Sequence, residues 1–198
     1  GIFMEEAVPA GQGSMAAVLG ADTERLNALC AQISAEKAVV EMANYNCPGQ
    51  IVVSGAVAGV DELMRRAAEE AGARRVVPLE VSGPFHSSLM GPAADRLQAE
   101  LVGVEMKSAR YPLVANVTAE PVTDAEEIRS LLVKQVRSPV LWEQSVRWLL
   151  ENGVDTFVEI GAGKVLAGLV RKIDRKANII SVNDLDAALR NGFTSKPI

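Results

Sequence analysis

Val39-Val40-Glu41-Met42-Ala43-Asn44-Tyr45-Asn46-Cys47-Pro48-Gly49-Gln50-Ile51-Val52-Val53-Ser54-Gly55 is two apolar, strand-like runs joined by a turn-rich segment. Val39 to Asn44 and Gln50 to Gly55 are the runs, and the short connection through Pro48-Gly49 predicts that they lie antiparallel. Upstream, Met15-Ala16-Ala17-Val18-Leu19 reads as a buried strand stopped by Gly20, and Asp22 caps a helix whose Leu26, Leu29, Cys30 and Ile33 share one face. Downstream, Val60, Leu63, Met64, Ala67, Ala68 and Ala71 recur at helical spacing until Gly72, and Arg75 to Val81 supplies a further strand. Strand, helix, strand, strand, helix, strand across residues 14–80 predicts a ferredoxin-like α/β unit.

Beyond residue 80 the texture changes. Leu89 to Val102 reads as a helix, Leu113 to Val117 as a buried strand, and Asp124 caps a helix carrying Ile128, Leu131, Leu132 and Gln135. Trp142 to Asn152 is a helix ended by Gly153. Thr156 to Ile160 is a strand running into Gly161-Ala162-Gly163 and a helix from Lys164 to Lys172. Asn178 to Val182 is a last strand, before a helix begun near Asp184. Helices alternating with short apolar strands predict a largely parallel sheet covered on both faces. Three strands are few for an open sheet of this kind, and residues 1–13 are helix-like up to Pro9-Ala10-Gly11, so the sheet is expected to be incomplete.

Composition narrows the function. The chain has 198 residues, 48% of them apolar and 23% charged, with a net charge of -5, which suits an ordinary globular core and not a nucleic-acid surface of clustered Lys and Arg. No apolar run reaches the roughly 18–20 residues that span a bilayer, and Gly1-Ile2-Phe3-Met4-Glu5-Glu6 has no signal-peptide pattern, so a cytoplasmic location is expected. Cys30 and Cys47 form no CxxC pair and accompany a single histidine, so reduced, packed thiols are expected and no metal site.

The single histidine, His86, lies in Val81-Ser82-Gly83-Pro84-Phe85-His86-Ser87-Ser88-Leu89-Met90, between a strand-like and a helix-like segment. Proton transfer near neutral pH most often uses imidazole, so any histidine-dependent chemistry in this chain has one candidate base. A lone histidine is more often a packed residue than a catalyst, but the end of a strand in an α/β sheet is where ligands bind. The nucleophile elbow G-x-S-x-G occurs nowhere in the sequence, and Ser87 and Ser88 are placed to cap the following helix. Gly161-Ala162-Gly163-Lys164 has the look of a phosphate-cradling turn but not the spacing of one, so a structural turn is the better reading. The carboxylates Asp124, Glu126 and Glu127 mark a helix start rather than acid–base groups.

Five blocks, in order, carry a resemblance to a known family. They are Glu6 to Gly20, Ala43 to Gly55, Pro84 to Met90, Gln135 to Trp142 and Glu159 to Leu166. Over nearly its whole length the chain resembles malonyl-CoA:acyl carrier protein transacylase. The resemblance implies a ferredoxin-like small domain inserted in an α/β-hydrolase-like large domain, with residues 1–13 as connection, 14–80 as small domain and 81–198 as the C-terminal part of the large one. It implies transfer of a malonyl group from coenzyme A to the phosphopantetheine thiol of acyl carrier protein through a malonyl-serine ester, with no cofactor. His86 would be the general base and acid, and Gln135 would orient it through a backbone carbonyl. Phe85, Asn44 and Asn116 would bind substrate, Phe85 by crowding an α-methyl branch, an effect of only about 1–3 kcal/mol.

Ala162 departs from the proline often found in the family's Gly-Pro-Gly-Lys. More consequentially, the resemblance places the family's serine elbow, oxyanion donors and malonate-binding arginine outside this sequence. A companion N-terminal segment bearing the serine is therefore an expected partner, beside malonyl-CoA and acyl carrier protein, and the chain alone is expected to be inactive. Arg65, Arg66, Arg74, Arg75, Arg171 and Lys172 are candidate contacts for the acidic carrier protein. A ligand- or partner-binding module without chemistry is the competing expectation, with nucleotide binding at Gly161–Lys164 ranked below both.

Overall fold

A computed structural model of the chain describes residues 1–81, 83–184, 186 and 192. It divides into two compact units, 1–145 and 146–198. The helix expected from Asp184 onward falls almost wholly outside the described residues.

The first unit opens with the short helix α1 (Ile2–Glu6), followed by β1 (Gly13–Leu19), α2 (Thr23–Glu36), β2 (Val40–Cys47), β3 (Gln50–Ala56), α3 (Val57–Glu70) and β4 (Arg75–Pro78). The four strands form one sheet in the order β2-β3-β1-β4, every neighbour antiparallel. Asp22 caps α2 as its position suggests, accepting from the Arg25 amide at 2.9 Å. Alternation along the strands gives the sheet two apolar faces. Ala16, Val18, Val40, Met42, Ile51 and Val53 point at Leu26, Ile33, Val60 and Leu63 of the two helices. Met15, Ala43 and Val52 point the other way and pack with Phe85. Both faces being buried is what makes these strands read as nearly continuous apolar runs.

Two boundaries in this region differ from expectation. The second strand does not stop at Asn44 but continues to Cys47, because register shifts at Met42/Asn44 and Tyr45/Cys47 let irregular backbone stay paired, leaving the turn to Pro48 and Gly49. The fourth strand ends at Pro78, not Val81.

After a single 3₁₀ turn (Ser88–Met90) come α4 (Gly91–Val102), β5 (Leu113–Ala115), β6 (Glu120–Val122), α5 (Ala125–Val136) and α6 (Trp142–Glu151), the last running across the division between units. Asp124 caps α5 by accepting from the Glu126 and Glu127 amides. The expected buried strand at 113–117 is instead half of a small antiparallel hairpin with β6, and Leu113 is 46% exposed. Ala119, with φ of 58°, turns the chain back after Ala115.

The second unit holds β7 (Thr156–Ile160), α7 (Val165–Ile173) and β8 (Asn178–Val182), the two strands parallel from Thr156↔Asn178 to Ile160↔Val182. Among the described residues this is the only parallel pairing of named strands, so a largely parallel sheet is not assembled by these residues. Ile160 is 81% exposed and Val165 73%.

Candidate active site

The segment that carries His86 is fixed at several points. Pro84 packs against Gly13 at the start of β1, so closely that a Cβ on Gly13 would fall 2.2 Å from the proline Cδ. The Ser87 hydroxyl, buried, donates to the Pro84 carbonyl at 2.6 Å. That bond replaces the helix-capping role expected of Ser87, whose side chain makes no cap hydrogen bond. The amide of Ser88 donates to the carboxylate of Glu41, on β2, at 2.6 Å. Phe85 lies between two apolar clusters, one built on Met15, Ala43 and Val52 and the other on Met90, Ala93, Ala94 and Val136.

Within this clamp His86 adopts φ of 59°, a left-handed conformation that costs a non-glycine residue on the order of 1 kcal/mol and is held only when its surroundings determine it. The half-buried ring places Nδ1 at 3.1 Å from the Gln135 carbonyl oxygen. A carbonyl only accepts, so in the neutral ring Nδ1 carries the hydrogen and Nε2 keeps the lone pair. No described residue is hydrogen-bonded to Nε2. The arrangement is that of a base with one nitrogen pinned and the other available.

Gln135 lies in the last turn of α5, and its side-chain amide donates to the carbonyls of Ser138 at 2.9 Å and Pro139 at 3.2 Å, bending the chain back toward the sheet. Residues 140 and 141 then join the other predicted positions together. The Val140 amide donates to Ala43 O at 2.8 Å, the Tyr45 amide donates to Val140 O at 2.9 Å, and the Leu141 amide donates to Asn116 O at 2.7 Å. Asn44 pairs with Val140 in an isolated parallel bridge. The 135–141 segment thus ties His86, Asn44 and Asn116 to one stretch of backbone. Asn116 also lines a cavity of about 150 Å³ with Leu113, Ile128, Leu131, Leu132 and Gln135, which neither His86 nor Phe85 lines.

The basic candidates separate. Arg65 pairs with Glu62, which Lys37 also holds at 2.8 Å, and these two cations bring the Glu62 carboxyl down to about 2. Arg66 is spanned by Glu70 at 2.6 Å and Glu36 at 3.3 Å. Both arginines are therefore neutralised within the chain. Arg74 and Arg75 are exposed with no ion pair among the described residues, and the Arg74 stem lies over Gly20. Arg171 and Lys172 occupy the last turn of α7, where cations suit the helix dipole.

At Gly161–Lys164 the helix start that could hold a phosphate is already filled. The Glu159 carboxylate accepts from the Leu166 and Ala167 amides at 2.9 and 3.2 Å, so an anion there would meet a carboxylate. No three His, Cys, Asp or Glu side chains are grouped to hold a metal among the described residues. Burial pushes the Cys30 thiol up to about 12, and no described helix is long and apolar enough to cross a membrane. Sequence reasoning missed Glu41 altogether; its contact with Ser88 spans 47 positions, and no local pattern announces it.

A family profile described as acyl transferase domain matches residues 3–191. The chain is 50% identical over 184 residues to the malonyl CoA-acyl carrier protein transacylase of Bacillus subtilis, covering 93% of this chain and 58% of that protein. It superposes on the crystal structure of an acyl-carrier-protein S-malonyltransferase from Burkholderia pseudomallei with a TM-score of 0.90 and 42% identity, covering 96% of this chain and 61% of that one. A malonyl-transacylase solved in complex with a type II PKS acyl-carrier protein gives a TM-score of 0.90 at 39% identity, covering 96% and 62%. The chain thus spans about three-fifths of the length of the relatives it matches.

Proposed function

The chain belongs to the acyl transferase domain family, and from that premise we propose that it supplies the base-bearing part of a malonyl-CoA:acyl carrier protein transacylase. The observation that carries the reading is the His86 Nδ1 to Gln135 carbonyl contact of 3.1 Å, which leaves Nε2 as the basic nitrogen. In the first half-reaction Nε2 takes the proton of a serine hydroxyl as that oxygen attacks the malonyl thioester carbonyl. The resulting imidazolium, stabilised at Nδ1 by the same carbonyl, returns the proton to the departing thiolate of coenzyme A. In the second, Nε2 takes the proton of the phosphopantetheine thiol as its sulfur attacks the malonyl-serine ester, and gives it back to the serine oxygen. No cofactor enters either step.

Phe85, Asn44 and Asn116 would line the substrate side; the support for grouping them is that Asn44 and Asn116 both meet the 135–141 segment, whose Gln135 carbonyl holds the histidine next to Phe85. The sheet of residues 14–80 is proposed as a ferredoxin-like module inserted in an α/β-hydrolase-like domain, to which residues 81–198 contribute. The proposed location is the cytoplasm.

The sequence holds no G-x-S-x-G, so the serine, the oxyanion donors and the malonate-binding arginine are proposed to come from a segment outside it. The exposed Ile160 and Val165 are apolar surface that such a segment would cover. Incubated alone with malonyl-CoA, the chain is expected to gain no acyl mass; a stable malonyl ester on this polypeptide would overturn the assignment.

For docking of the acidic carrier protein, Arg74 and Arg75 are the favoured candidates, because Arg65 and Arg66 are already paired. In the assembled enzyme, charge reversal of Arg74 and Arg75 to Glu should raise KM for carrier protein about tenfold or more and leave malonyl-CoA hydrolysis unchanged. Equal changes in both reactions would move the docking surface elsewhere.

A further inference from the structure

We infer that Glu41 is a positioning residue for His86, acting through the backbone amide of Ser88. This rests on the reading of His86 as the base.

Glu41 sits on β2 between Val40 and Met42, both of which face the core beneath α2 and α3. Strand alternation turns Glu41 to the opposite face, in the row Glu41↔Ser54↔Met15, the face that packs with Phe85. Glu41 is half-buried there, beside the buried Ser54, and its carboxylate is held in place by a hydrogen bond. Its bond is to the Ser88 amide, two residues beyond His86, at 2.6 Å, a short contact to a charged acceptor.

The contact completes a closed frame. Pro84 is fixed to β1 through Gly13, Ser87 is fixed to Pro84, and Ser88 is fixed to β2 through Glu41. His86 is the one residue of this turn with positive φ, so it is the residue that relaxes when the frame opens. Relaxation of the backbone swings the ring from the Gln135 carbonyl, and the tautomer with Nδ1 protonated loses its partner. An ordinary N-terminal cap would give stability alone; the proximity of Ser88 to a strained catalytic candidate makes this carboxylate a control on the imidazole.

The single histidine makes the test clean, because every imidazole nitrogen signal of the chain belongs to His86. In ¹⁵N-labelled protein, Glu41→Ala is expected to move the His86 nitrogens from a fixed Nδ1-protonated pattern toward that of a freely exchanging ring. Glu41→Gln, whose amide oxygen still accepts from Ser88, should keep the native pattern. Ser88→Pro removes the donor from the other end, and it fits the site: Ser88 is the first residue of the turn, and Ser87 before it is extended at φ -119° and ψ 167°. It should reproduce the Glu41→Ala spectrum, and the double variant should add nothing further. In the assembled enzyme Glu41→Ala and Ser88→Pro should lower kcat about 10–100-fold with KM for malonyl-CoA unchanged, and Glu41→Gln should restore it.

Native nitrogen positions in folded Glu41→Ala and Ser88→Pro would overturn the inference, leaving Glu41 as a cap. A Glu41→Gln spectrum as altered as that of Glu41→Ala would also overturn it, since charge and not the hydrogen bond would then be responsible. Failure of the base reading is separate: His86→Asn would retain transfer while Glu41→Ala still moved the nitrogens.

Discussion

His86→Asn should reduce malonyl transfer by the chain assembled with the proposed serine-bearing segment about 10²–10⁴-fold, with thermal stability close to native. Asparagine is the informative replacement because it tolerates the left-handed backbone of position 86 better than alanine, and its side-chain nitrogen can still donate to the Gln135 carbonyl. What it removes is the basic nitrogen. Alanine would mix that loss with backbone strain, so a matched fall in rate for both variants, with stability lost only in alanine, separates chemistry from folding. The competing reading, a binding module without chemistry, predicts that neither substitution alters turnover. Stopped-flow or quench measurement of malonyl-serine formation decides between them.

Gly13→Ala is the second large effect. The added methyl would lie 2.2 Å from Pro84 Cδ and 2.7 Å from Pro84 N. A proline ring cannot swing aside as a lysine would, so the loop itself must move. Overpacking of this kind costs about 1–3 kcal/mol. Displacing the base by even about 1 Å adds a rate loss on the order of 10²-fold, because the loop that moves carries His86. Urea unfolding and initial rates on the same preparation measure both. Native stability together with a native rate would mean that β1 and the His86 loop are not braced against each other.

The alternation of periods made the first half of the chain legible. Asp22, the face of Leu26, Leu29, Cys30 and Ile33, and the stop at Gly72 are local signals, and each is where the structure has it. Gln135 was not legible from spacing, since its acting group is a backbone carbonyl that any residue possesses; the family resemblance alone singled it out. The hairpin at Leu113–Val122 was misread for a related reason. A short apolar run does not report its direction, and the reversal at Ala119 uses positive φ without the glycine or asparagine that marks such turns. Arg66 illustrates the limit for charges: Glu70 is one helical turn away and readable, but Glu36 lies 30 positions off and is brought alongside only by the packing of α2 on α3.

The pinned imidazole is the claim on which the rest stands, and nitrogen NMR with this chain labelled tests it, since the chain holds one histidine. The account predicts a neutral ring protonated at Nδ1, its hydrogen held by the Gln135 carbonyl, with Nε2 bearing the lone pair. A ring protonated at Nε2, or one exchanging freely between the two forms in the native protein, would contradict it.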